Sequence, residues 1–217
     1  MNSEQVALYL KHHPEFFEEY ADLMATIFVP HPHGGRAIPI SERQTLALRD
    51  KSRQLETKLK ELIQFGEEND AISEKLHRMT LAMIAAAGLQ SLLDTIHFNL
   101  REDFSVPHVT LRIWNGAGET APAELQAASD EAKAFAQSLA LPYCSQHAML
   151  DTQSWFGEIG MHLRSFAYIP LRSQQAFGLL VLASEDAQRF YPEMGTLHLK
   201  RLGELASAAL LRYLAHA

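Results

Sequence analysis

The spacing of apolar residues changes three times along the chain, and each change marks a boundary. Between Ser3 and Phe28 the apolar positions Val6, Leu10, Phe16, Phe17, Tyr20, Leu23, Met24 and Ile27 recur at helical spacing. With Ser3 placed as an N-cap and Pro14 placed to begin a second helix, the pattern predicts two short amphipathic helices. The stretch "VPHPHGGRAIPIS" then gathers three prolines and two glycines, which no helix or central strand tolerates, so residues 1–40 form a first segment ending in a loop. After Ser41, with Glu42 and Gln44 behind it, no proline occurs until Pro107. Leu48, Ser52, Leu55, Leu59 and Leu62 alternate spacings of four and three, and beyond them the better stripe is Phe65, Asn69, Ile72, Leu76, Met79 and Met83. Leu59, Leu62 and Phe65 are spaced three and three, so the stripe slips there and a continuous supercoil would overwind locally. Asn69 is a polar residue within the stripe, of the kind that fixes register at a cost in stability. Residues 41–87 are therefore predicted to form one long coiled-coil-like helix. Its seam of Leu48, Leu55, Leu59, Leu62, Phe65, Asn69, Ile72, Leu76, Met79 and Met83 joins two copies in a homodimer. The plainer alternative packs this stripe on the chain's own N-terminal helices, but the stripe is longer than two short helices cover.

Residues 88–217 read differently. Gly88 breaks the helical pattern, and Leu89, Leu92, Leu93, Ile96 and Leu100 form a helix ending near Phe104. "HVTLRIW" sets Val109, Leu111 and Ile113 against Thr110, Arg112 and Trp114, the period of two of a strand. "NGAG" supplies a tight turn, "ELQAASDEAKAFAQSLAL" a helix, and "PYCSQHAMLDTQSWFGEIGMHLRS" an irregular segment. "SFAYIPL" and "GLLVLAS" form a hairpin, with Pro170 suited to an edge or strand end. A last helix from about Pro192 to Leu214 buries Leu197, Leu202, Leu205, Ala209 and Leu210. The fold class is α+β: an antiparallel sheet flanked by helices, preceded by N-terminal helices and the long helix.

Two resemblances rest on quoted residues. "AYIPLRSQQAFGLLVLASEDAQRF" resembles the GAF pattern of apolar strand, Pro-Leu, turn, Gly-Leu-Leu strand and a Phe before the last helix, and the order of elements over Leu89–Ala217 resembles the same PAS-related fold. "YLKHHPEFF", "VPHPHGGRAIPISERQTLALRDKSRQLETKLKELIQFGEEND" and "SEDAQRFYPEMGTLHLKRLGEL" resemble the bacterial domain-of-unknown-function family 484 (DUF484), a GAF-like family, over nearly the full length. The resemblance implies a sensor-type fold and leaves the chemistry open. Cyclic-nucleotide-binding GAF domains carry Asn-Lys, Phe and Asp-Glu where this chain has Ser184-Glu185, Phe190 and Glu193-Met194, so only Phe190 and one acid match. Phe190 reads more simply as core. The bilin-attaching Cys-His pair is spread to Cys144 and His147, and the several cysteines of GAF-type methionine sulfoxide reductases are reduced to one.

Composition narrows the function classes. A formal net charge of −7 without a Lys/Arg block argues against nucleic acid as a direct partner. One cysteine excludes an intrachain disulfide or a CxxC pair, and neither a membrane span nor a leader-like start is read, so the chain is expected to be cytoplasmic without a membrane partner. "GAGETA", Gly116–Ala121, formally fits a dinucleotide turn, but "LALPYCSQH" lacks the acid that the fingerprint wants, so it reads as a turn. His12, His13, His31 and His33 lack a carboxylate or thiolate at ligand spacing and read as solvated or capping residues. Cys144 with His147 could pair as nucleophile and base, but a lone cysteine is more often a small buried hydrophobe. No catalytic residue, cofactor or metal is expected, and the protein is read as a non-enzyme.

What remains is a ligand pocket in the sheet domain. Arg112 and Trp114 project from one face of the first strand, Tyr143, His147, Trp155, Phe156 and His162 come from the irregular run, and Tyr168 from the hairpin. Arginine among aromatics suits a planar anion. Two readings follow. In one the domain binds a small molecule and the long helix passes occupancy to a second copy and an unknown partner protein. In the other the two tryptophans complete a core, no ligand enters, and the protein is an interaction scaffold.

Overall fold

The computed structural model describes residues 2–29, 38–114 and 123–214. The chain divides into two compact units, Met1–Glu67 and Glu68–Ala217.

In the first unit, helix α1 spans Ser3–His12 and is capped by Asn2 rather than by Ser3. Asn2 Oδ1 accepts from the Gln5 N–H at 2.8 Å and Gln5 Oε1 accepts from the Asn2 N–H at 3.0 Å. This capping box needs Gln or Glu three residues after the cap, and Val6 denies it to Ser3. Pro14 does open the next helix, α2 (Glu15–Glu19), but Tyr20 leaves helical geometry and a separate α3 follows over Ala21–Thr26. β1 (Phe28–Val29) and β2 (Ile38–Pro39) pair antiparallel on either side of the proline-glycine stretch, whose residues 30–37, including His31 and His33, lie outside the described residues. Helix α4 then runs from Ile40 to Ala85.

The division between the two units falls inside α4. Its last turns belong to the second unit because Leu76, Met79, Met83 and Ala86 enter that unit's core. Helix α5 (Leu89–Glu102) follows, with extended Gly88 as its N-cap. Four strands, β3 (His108–Ile113), β4 (Tyr143–Ser145), β5 (Ser165–Arg172) and β6 (Ala176–Ser184), make an antiparallel sheet in the order β3-β6-β5-β4. The register pairs Leu111 with Leu180 and Ile169 with Leu180. β4 pairs only with Phe166–Tyr168, so Pro170 sits beyond its end, where β5 has lost its neighbour on that side.

The sheet is buried on both faces. Leu111, Ile113, Ala167, Ile169, Leu171, Leu180 and Leu182 meet the end of α4, α5 and the last helix, α7 (Leu197–Leu214). Phe166, Tyr168, Leu179, Val181 and Ala183 face the other way, toward α6 (Asp130–Ser138) and a 3₁₀ stretch over Thr152–His162. β5 and β6 therefore read as nearly continuous apolar runs instead of alternating ones. α7 lies so close to β5 that a Cβ on Gly203 would come within 2.6 Å of Ile169 Cγ2, which is why glycine stands there. Ser207 fastens the contact, its Oγ accepting from the Arg172 N–H at 3.0 Å.

Several local expectations shift. The helix expected over "ELQAASDEAKAFAQSLAL" is a 3₁₀ turn at Ala123–Leu125 followed by α6, because Ser129 Oγ accepts from the Ala132 N–H at 3.2 Å and resets the start. β4 lies inside the segment read as irregular. α7 begins at Leu197, which is exposed rather than buried. The "NGAG" turn and the "GAGETA" stretch, residues 115–121, lie outside the described residues.

Candidate functional site

Of the eight expected ligand residues, the structure brings Trp114, Trp155, Phe156 and Tyr168 into or against one apolar cluster on the outer face of the sheet, together with Phe166, Phe135 and Val181. Arg112 joins them by placing its guanidinium 5.5 Å from the centre of the Trp155 ring, and its Nη1 donates to Gln126 Oε1 at 3.1 Å. Burial lowers the Arg112 pKa, while Glu124 and Asp151 pull it back up. Tyr143 stacks near Tyr168 at the border of the cluster, with ring centres 6.5 Å apart. His147 and His162 are exposed.

The centre of this face is filled by side chains. Tyr168 is completely buried, with its ring between Phe166 at 6.2 Å and the edge of Phe135 at 5.4 Å. Its hydroxyl accepts from the Met149 N–H at 2.7 Å and lies 3.2 Å from Thr152 Oγ1, so the one polar atom of the ring is spent on its own protein. Burial raises this phenol's pKa, with the Thr152 and Met149 hydrogen bonds opposing it and Tyr143 adding to it. Trp114 donates its indole N–H to the Ala176 carbonyl at 3.0 Å. Arg172 ties α6 down as well, Nη1 donating to the carbonyls of Ala136, Gln137 and Leu139 at 3.0–3.2 Å. Trp155 and Phe156 also border an open cleft of about 260 Å³ with His97, Arg101 and His108, which Arg112 does not line.

Cys144 lies on the other face of the sheet. Cys144 is 2% exposed among the residues of the helical face, and burial pushes its thiol up to about 11. A thiol held protonated at neutral pH is a poor nucleophile. Among the described residues no group of three His, Cys, Asp or Glu side chains is arranged to hold a metal ion, and no helix is long and apolar enough to cross a membrane.

A second cavity, of about 340 Å³, opens between the end of α4, α5, α7 and the segment joining β6 to α7. Its walls are apolar, with Leu76, Leu100, Phe104, Leu182, Phe190 and Leu199 among them. Its polar side chains are Lys75, Arg189 and His198. Phe190 is buried, as a core residue should be. Arg189 Nη2 donates to the Phe104 carbonyl at 2.8 Å and its guanidinium lies 5.6 Å from the centre of the Phe190 ring. His198 Nε2 lies 3.0 Å from Asn69 Oδ1, so the polar residue of the expected seam has a partner in α7. Burial lowers the His198 pKa, and Arg201 adds to the effect. Sequence reasoning missed this cavity, since Lys75, Arg189 and His198 lie in separate segments and line one space only through the tertiary packing.

The expected seam divides into two. Leu76, Met79 and Met83 are 0–7% exposed within the core of their own domain, and Ile72 lines the cavity. Leu48, Leu55, Leu59, Leu62 and Phe65 are 56–68% exposed.

These features define a small α+β module: a four-stranded antiparallel sheet covered on both faces, into which the end of a long helix is built. The chain belongs to the family described as "Protein of unknown function, DUF484", whose model matches residues 1–215. It is similar to the uncharacterized protein YigA of Salmonella typhimurium (strain LT2), with 23% identity over 226 residues that cover 99% of this chain and 93% of the relative. Among solved structures it is similar to the native GAF domain of the potassium sensor histidine kinase KdpD from Escherichia coli, at 18% identity and a TM-score of 0.36, covering 64% of this chain and 93% of that one.

Proposed function

We propose that the protein is a non-enzymatic, dimeric sensor module, in which α4 joins two copies and carries changes in the packing of the sheet domain toward a partner protein. The observation that carries this reading is the split of one helix. α4 offers Leu48, Leu55, Leu59 and Leu62 to solvent at heptad spacing, with Phe65 exposed just past the slip, while Leu76, Met79 and Met83 of the same helix are core of the second unit. An apolar stripe of that spacing on a helix pairs with its like.

The charges beside the stripe favour a parallel pair. With Leu48, Leu55 and Leu62 at d positions, Lys51 and Lys58 fall at g and Glu56 at e. Parallel in-register helices set Lys51 against Glu56 of the second copy, twice by symmetry, whereas antiparallel helices set Lys51 against Lys58. The buried, protonated Cys144 supports the non-enzymatic part of the reading.

The side-chain-filled outer face supports the second reading, a scaffold that binds no small molecule, as far as that face is concerned. Sedimentation equilibrium of the full chain tests the dimer. The wild type is expected as a dimer, and Leu55→Asp/Leu59→Asp as a monomer with unchanged helix content by circular dichroism. A wild type that is monomeric at tens of micromolar overturns the reading.

A further inference from the structure

The 340 Å³ cavity between α4, α5 and α7 is unusual for its charge. The protein carries a net −7, yet the polar side chains lining this cavity are Lys75, Arg189 and His198, with no Asp or Glu among the lining residues. The adjacent Asp103 is occupied by Arg78, at 3.5 Å. Two of the three cavity residues also hold a buried polar atom with no hydrogen-bond partner among the described residues: Arg189 Nε and His198 Nδ1. Such atoms are rare in a folded protein and cost stability. Their characters differ. Asn69 Oδ1 only accepts, so His198 Nε2 carries the proton and a neutral His198 presents Nδ1 as a bare acceptor, while Arg189 Nε–H is a donor with permanent charge. A carboxylate matches the two permanent cations among these side chains, accepting from Arg189 and Lys75.

The volume bounds the rest of the ligand. At about 30 Å³ per water-sized unit, the cavity holds on the order of ten non-hydrogen atoms, and its apolar walls call for an unbranched or lightly branched hydrocarbon. From this juxtaposition of an apolar cavity and the cationic side chains of Lys75 and Arg189, with no acid in its lining, we infer that this face of the domain binds a medium-chain aliphatic carboxylate. The inference rests on the sensor reading only for its purpose, since the site stands within the second unit whether or not the chain dimerises.

The test is a calorimetric titration of the full-length protein with sodium hexanoate, octanoate and decanoate below their micelle concentrations, with octan-1-ol as the neutral control. Affinity is expected to rise by about fourfold per methylene until the cavity is full. Octanoate is expected to bind at least about tenfold more tightly than octan-1-ol. Arg189→Gln should lose that preference and Lys75→Ala reduce it by a few fold. Carbon-13-labelled methionine methyls supply a second readout that needs no variant: Met194 lines the cavity and its signal should move with octanoate, while exposed Met161 should not. Octan-1-ol binding as tightly as octanoate, or a Met194 signal that does not respond to any of the three acids, overturns the site. A monomer that binds octanoate removes the dimer and keeps the site, and a dimer blind to it does the reverse.

Discussion

Two substitutions at equivalent-looking positions of α4, Met79→Ala and Leu59→Ala, should have opposite physical consequences. Met79 is wholly buried in the core of its own domain. Removing its side chain leaves a cavity in that core, at a cost of about 2–5 kcal/mol. For a domain of this size that lowers Tm by roughly 2–4 °C per kcal/mol, so by about 10 °C at the centre of the range, independent of protein concentration. Leu59 is 56% exposed in the single chain. Burying the remainder against a second copy is worth roughly half of the 1.5–3 kcal/mol for a whole leucine, or about 1.5–3 kcal/mol for the two copies together. Leu59→Ala should therefore raise the dimer dissociation constant by roughly 10- to 150-fold and leave the unfolding of the dissociated chain almost unchanged. Urea unfolding at two protein concentrations, beside sedimentation equilibrium, separates the two effects. The reasoning is refuted if Met79→Ala weakens association while sparing the stability of the domain, or if Leu59→Ala destabilises the dissociated chain and leaves association untouched.

The other predictions concern geometry and pH. Ser52 falls at an a position between Leu48 and Leu55, so Ser52→Cys should form an intermolecular disulfide under mild oxidation if the helices pair in parallel and in register, with buried Cys144 contributing none; a cross-link-free dimer excludes that register. Cys144 has its thiol raised from 9.0 to about 11, so the folded state holds this proton more tightly than the unfolded one. The resulting stabilisation is complete below about pH 9 and lost as pH rises toward 11, and urea midpoints should fall more steeply over that window in the wild type than in Cys144→Ala; equal slopes would refute the assignment.

The elements legible from sequence were those whose burial shows as periodicity. α4, α5, β3 and the β5–β6 hairpin stand where the spacing puts them, because a long helix and an apolar hairpin meet one kind of environment along their length. Elements held by a few local or distant bonds were harder to read. Asn2 outcompetes Ser3 because of Gln5, Ser129 restarts a helix that the apolar pattern would carry through, and the three residues of β4 exist because β5 offers them an edge. Arg112, Trp114, Trp155, Phe156 and Tyr168 do gather on the outer side of the sheet, but a list of aromatic side chains looks the same whether they surround a space or fill it.

The sequence by itself determined the α+β class, the long helix and the family, since each depends on spacings within one segment or on residues matched along the whole chain. Tertiary structure alone decided which half of the α4 stripe is core and which is exposed. A heptad pattern records that an apolar face must be covered, and its partner is chosen only when α5, α7 and the sheet arrive against Leu76, Met79 and Met83. The same convergence brings Lys75, Arg189 and His198 from three separate segments to one cavity, an arrangement with no linear signature because the distances that matter run across the fold.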